Sequence, residues 1–172
     1  MYEKRSYRDL FKGNNLKFFN ICVFETDLSI GVCENICNSD DMSRPVQNCN
    51  LEDSVISSSS SGNSGNNAIE NTIVYRTALR SVRKYRQQIQ DYIRIQPEFL
   101  TSLEPVVPKP CCAPIIQKMC EAADKAQVGP MAAVAGAIAE MTGYALLRYS
   151  DEVIVENGGD IFIKTDSERK IG

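Results

Sequence analysis

Glu156, Asn157, Gly158, Gly159 and Asp160 stand in one run, ENGGD, and these residue types together suit a phosphate or a metal-bound phosphate. Asn-Gly and Gly-Gly supply the positive φ angles of tight primed turns. Such a turn offers bare backbone N–H groups beside carboxylates. The run fits equally an ordinary hairpin whose polar side chains are solvated. A second candidate is Gly129-Pro130-Met131-Ala132. Proline suits the first position of a helix, where a missing N–H costs nothing. A helix start directs free amides at an anion.

Other chemistries are excluded by composition. The chain has 172 residues and no histidine. It therefore holds no histidine general base, no Ser-His or Cys-His pair and no histidine metal ligand. Seven cysteines are present: Cys22, Cys33, Cys37, Cys49, Cys111, Cys112 and Cys120. No CxxC occurs, and the spacings do not make a zinc ribbon. Cys33, Cys37 and Cys49 are the set that a metal or cluster would use, and Cys120 reads as a core residue. Met1 leads directly into the charged MYEKRSYRD, so no secretory leader is expected. Reduced thiols in a cytoplasm are the expectation. A net charge of -3 gives no footprint for nucleic acid.

The elements that must position these residues follow from periodicity. Leu16 to Phe24 alternates as a strand, Glu25-Thr26-Asp27 turns the chain, and Leu28, Ile30 and Val32 mark a second, half-buried strand. Leu79, Val82, Arg86, Ile89 and Ile93 recur in steps of three and four, a helix that Pro97 stops. Asn67 and Glu70 fit a capping box for an earlier start. Arg76, Arg80, Arg83, Lys84, Arg86 and Arg94 decorate this helix, as a solvated face or as an anion-contacting one. Glu98-Phe99-Leu100 makes a short turn, Pro105, Pro108 and Pro110 mark an extended connector, and Pro114 opens another helix.

From Met131 to Leu147 only Glu140 and Thr142 are clearly polar, so this helix is buried on most sides. Ala132, Gly136, Ala139 and Gly143 share one face, and Met131, Val134, Ile138 and Met141 form a bulkier stripe. Two glycines inside a helix cost roughly 1 kcal/mol each against alanine. Close approach of a backbone or a flat ligand is the plausible offset. Packing on a sheet, a ligand wall and a membrane span all fit. The alanine-rich composition and Glu140 argue against the span, and no membrane is expected. Asp151 to Glu156 and Asp160 to Lys164 read as a hairpin apolar on both faces, hence inside a sheet covered on both sides.

The fold expected is α+β, a mainly antiparallel sheet packed with helices. Residues 1–172 form one domain, with a loop or disordered insertion at about 33–67, where SSSSSGNSGNN lacks any period. Ser54 to Ser58 within it is a candidate strand. A central hairpin with nothing after it leaves sheet edges open. An incomplete domain, the N-terminal part of a longer chain, is the expectation.

MYEKRSYRDLF, FETDL, ALRSVRKYRQQIQDYI, PEFLTSLEP, VGPMAAVAGAIAE and YSDEVIVENGGDIFIK together resemble the UPF 0280 family of ApbE-like proteins of archaea and anaerobic bacteria. The resemblance covers most of the chain outside about Cys33 to Asn67. The broader ApbE family comprises flavin transferases, which move FMN from FAD to a protein threonine using magnesium. By resemblance, Gly129 and Met131 correspond to its glycine-led helix start, and Asn157, Gly158, Gly159 and Asp160 to its GGD-like turn. This chain departs from the transferases in having no charged residue between Met131 and Ala139. It also lacks the later region that carries their metal-binding aspartate and threonine. Fold and ligand binding transfer more readily than transferase activity.

The resemblance thus implies a pocket for FAD, FMN or another phosphate-bearing small molecule. It would lie between the Pro130 helix and the Asn157 turn, lined by Gly129, Pro130, Met131, Ala132, Asn157, Gly158, Gly159 and Asp160. Magnesium enters only as an implied companion, with no metal ligand and no catalytic residue assigned. The alternative implied is a non-catalytic partner in sulfide assimilation and homocysteine biosynthesis, docking through the Arg76 to Arg94 helix.

Two outcomes are expected at the turn. Gly158 or Gly159 adopts a positive φ angle. If Asp160 contacts the ligand, Asp160→Asn lowers affinity at least tenfold, about 1.4 kcal/mol, at unchanged melting temperature. If Asp160 is a solvated turn residue, both quantities stay where they are.

Overall fold

The computed structural model describes residues 16–33, 73–166 and 168–169. Strands β1 (Leu16–Val23) and β2 (Thr26–Cys33) form the first hairpin. Helices α1 (Ile73–Ile95), α2 (Glu98–Thr101) and α3 (Pro114–Ala126) follow, then a 3-10 turn at Pro130–Ala133 running into α4 (Val134–Leu146). Strands β3 (Val153–Asn157) and β4 (Asp160–Lys164) complete one antiparallel sheet in the order β1-β2-β3-β4. The architecture is α+β, as expected. The insertion through residue 67, the Asn67–Glu70 capping box and the Ser54 to Ser58 strand lie outside the described residues.

Alternation sets the two faces of the sheet. Ile30 stands opposite Phe19 on one side and Val155 on the other, and Val32 stands opposite Val153. These residues join Val74, Ala78, Val82 and Ile89 of α1, and Ala137, Ile138 and Ala139 of α4, in one core. The opposite face of β2 and β3 carries Asp27, Ser29, Ile154 and Glu156, all of them buried. The second strand is therefore covered on both sides rather than half-buried. The first turn is Phe24-Glu25, not Glu25-Thr26-Asp27, because Thr26 already pairs with Val23 in the ladder.

The second hairpin divides between interior and edge. β3 is buried along its whole length, as expected for a central strand. β4 instead forms the edge, with Ile161 39 % and Ile163 41 % exposed, so only half of the hairpin lies inside the sheet. The turn is two residues long, with φ of 64° at Gly158 and 101° at Gly159. Both angles are the left-handed ones that glycine adopts without penalty.

The chain is stopped and redirected by local devices. α3 ends at Gln127, whose φ of 56° is left-handed and whose N–H reaches the Ala123 and Asp124 carbonyls. That residue caps the helix. At the end of α1 the Tyr92 hydroxyl donates to Gln96, while the Gln96 side-chain amide donates to Val107 O at 3.2 Å. The Lys109 N–H donates to the Tyr92 hydroxyl at 2.8 Å. These bonds tie the proline-rich connector to α1. Phe99 of α2 is fully buried, its ring edge-on to Tyr92 with centroids 5.1 Å apart.

The small face of the Pro130 helix packs against the second hairpin. A Cβ at Gly143 would stand 2.1 Å from Phe162 Cδ1. A Cβ at Gly136 would meet the Asp160 carboxyl at 3.6 Å, an ordinary contact. Sheet packing is thus the role of this face. Gly143→Ala is expected to lower unfolding free energy by about 1–2 kcal/mol, overpacking outweighing the helix gain. Gly136→Ala is expected to raise it by up to about 1 kcal/mol. Equal effects of the two in denaturant melts would refute the Phe162 contact as the cause.

Candidate functional site

Arg86 is the one charged residue in the apolar stripe of α1, so the helix carries it toward the sheet instead of into water. Its side chain is 16 % exposed. Nη1 donates to Thr26 Oγ1 at 2.5 Å, and Nη2 donates to Glu25 Oε2 at 2.7 Å. The guanidinium carbon lies 5.3 Å from the centroid of the Phe24 ring, within cation–π range. The β1–β2 turn therefore closes over the middle of α1.

Beside this cluster is a pocket of about 430 Å³. Ile89 and Ile93 of α1, Met131 of the 3-10 turn, and Val134 and Ile138 of α4 provide its apolar walls. Asn157, at the end of β3, contributes a polar wall. Register holds Asn157 opposite Leu28, and its side-chain amide donates to Ala135 O at 3.0 Å. That bond ties the last residue of the central strand to the first turn of α4. The result is a mainly apolar slot with the Arg86–Glu25 ion pair at one end, a form that suits an apolar body bearing an anion able to take the guanidinium.

Of the residues expected at the site, Met131 and Asn157 line this pocket together. Gly129 and Pro130 are buried behind it, where a Cβ on Gly129 would overlap the Ser102 carbonyl oxygen. Ala132, Gly158, Gly159 and Asp160 are exposed and do not line it. Glu156 is buried, and its Oε1 accepts the Gly159 N–H at 2.9 Å, which braces the turn. Sequence reasoning missed Glu25 and Thr26. The signal that could have found them is Arg86 itself, a charge at an apolar register that requires a partner on the facing strands.

The remaining candidates separate clearly. Arg76, Arg80, Arg83, Lys84 and Arg94 are exposed on α1. Among the described residues no group of three or more His, Cys, Asp or Glu could hold a metal. Cys37 and Cys49 lie outside the described residues. Cys120 is buried, and burial, then Cys112 and Glu121, push its thiol up, which suits a core role. No helix among the described residues is long and apolar enough to cross a membrane.

Two outcomes follow. Asp160→Asn is expected to leave melting temperature and ligand affinity unchanged, since its carboxyl lies outside the slot. Glu25 is held below the ordinary glutamate value of 4.5, by a backbone hydrogen bond within its own residue and then by Arg86. A pKa depressed on folding stabilises above the unfolded value, and that contribution is lost as pH falls through the folded one. The Glu25–Arg86 pair should thus persist at pH 4.5 and open only below it. The carboxyl carbon shift of Glu25, followed by NMR, should report a midpoint under 4.5; a midpoint at or above it would contradict the geometry.

A family model described as AbpE bacteria matches residues 64–172. A UPF0280 protein of Archaeoglobus fulgidus is 44 % identical over 108 residues, which cover 60 % of this chain and 44 % of the relative. A UPF0280 protein of Methanococcus aeolicus is 41 % identical over 96 residues, covering 55 % of this chain and 39 % of the relative. One from Methanothermobacter thermautotrophicus is 40 % identical over 110 residues, covering 60 % and 43 %. The matched part spans less than half the length of these curated relatives. It includes α1, the Pro130 helix and the second hairpin, and on this evidence the chain belongs to the AbpE bacteria family, with UPF0280 proteins as its relatives.

Proposed function

We propose that this chain is an ApbE-like ligand-binding domain. Its slot between α1, the Pro130 turn and Asn157 takes a flavin or a similar flat, phosphate-bearing molecule. The observation that carries the reading is Arg86, a largely buried guanidinium at one end of a pocket whose other walls are mainly apolar, with Glu25, Thr26, Gln90 and Asn157 as its remaining polar lining. A volume of about 430 Å³ falls within the roughly 300–1,000 Å³ usual for small-molecule sites. Ile89, Ile93, Met131 and Ile138 would bury the flat body, Asn157 would orient its polar edge, and Arg86 would hold the anion. A flavin supplies redox chemistry or a transferable FMN group when bound; the residues here bind and orient it. Magnesium does not fit in the same way, because the slot offers no clustered oxygen donors. The reading is therefore binding, not transfer.

Titration of full-length protein with FAD, FMN and ADP, followed by fluorescence, tests this. Saturable binding of at least one is expected. Val134→Trp should fill the slot and abolish that binding while the protein stays folded by circular dichroism. Wild type that saturates with none of the three would overturn the proposal.

A further inference from the structure

The turn that covers Arg86 is built at a cost. Phe24 has a φ of 52°, a left-handed angle that costs a side-chain-bearing residue roughly 1–2 kcal/mol. Its ring is also 81 % exposed. A two-residue hairpin turn favours glycine, asparagine or aspartate at such positions. Backbone strain of this kind clusters at ligand clamps and binding sites, and the next residue, Glu25, lines the slot.

The ion pair beneath the turn is asymmetric. The Glu25 side chain is 86 % exposed, whereas that of Arg86 is 16 % exposed. Glu25 can return to water with its hydration nearly intact. Arg86 cannot, and it would be left with Thr26 Oγ1 alone on Nη1. The Thr26 hydroxyl accepts from Arg86, so its own proton remains to be donated. Arg86 Nη2 and that hydroxyl are two donors beside the slot, suited to the oxygens of a tetrahedral anion.

Building on the pocket reading above, we propose that the Glu25 carboxylate is an internal stand-in for the ligand's phosphate. The incoming anion displaces it from Arg86 when the ligand enters the slot. The ligand class is then a flat molecule ending in a phosphate monoester, and the β1–β2 turn sets how tightly it is held. No bond is made or broken; one charged partner replaces another.

The test uses full-length protein and two flavins that differ only in phosphate, FMN and riboflavin. Fluorescence titrations compare wild type, Glu25→Gln and Arg86→Gln, with melting temperature as the check on folding. Removing the stand-in should tighten FMN about threefold to fivefold, the scale of a lost exposed ion pair. Riboflavin affinity should not change. Arg86→Gln should weaken FMN to the level of riboflavin. Inorganic phosphate should compete with FMN and not with riboflavin. FMN binding that is unchanged or weaker in Glu25→Gln would overturn the stand-in and leave the pocket standing. Wild type that binds neither FMN nor riboflavin would overturn the stand-in, and wild type that also fails to bind FAD and ADP would overturn the pocket reading with it.

Discussion

The pairing of β2 with β3 is the constraint on which the rest of the molecule depends. It joins segments far apart in the chain: Cys33 and Glu152, 119 residues apart, meet through the Cys33 thiol and the Glu152 backbone. The Ser150 hydroxyl accepts the Cys33 N–H at 3.0 Å and extends the same seam. Closing a loop of that length is entropically unfavourable, though the penalty grows only slowly with length. The buried ladder of Leu28, Ile30 and Val32 against Asn157, Val155 and Val153 offsets it. Once that seam forms, the β1–β2 turn and the end of β3 have fixed positions. Arg86 then has a partner, and Asn157 reaches Ala135.

The pocket exists because two kinds of packing meet at one place. On the hairpin side of α4, small residues allow the helix to lie close to β3 and β4. On the α1 side, Val134 and Ile138 stand off from Ile89 and Ile93 and leave space. The 3-10 start of the helix contributes too. Ala133, with φ of -94° and ψ of 2°, breaks the regular helix before Val134 and aims Met131 into the slot. A straight helix from Pro130 would place that side chain differently.

Much of this was legible in the residues. The apolar periods of α1 and the Pro130 helix, the proline at the start of α3 and the glycine turn are local patterns, and local patterns survive into the fold. Boundaries were less legible, because Thr26 and Asp27 have turn-like chemistry yet pair in the ladder. The edge position of β4 was hidden as well, since Ile161 and Ile163 read as buried while the sheet order leaves them at the rim. The site was legible only in part. Met131 and Asn157 lie in segments with clear signatures. Glu25 and Thr26 meet Arg86 across about sixty positions, and no spacing rule reaches that far.

The position of β4 has a consequence for how the protein behaves in concentrated solution. Among the described residues, β1 and β4 are the outer strands of the sheet, and an outer strand presents main-chain donors and acceptors that another chain can match. Two isoleucines on β4 make that rim sticky as well as unpaired. Lys164 at its end carries a charge on that rim, its Nζ 3.1 Å from the Asp166 carboxylate. An added strand would therefore have to accommodate that lysine at the margin of the sheet, a charge of the kind that discourages edge pairing.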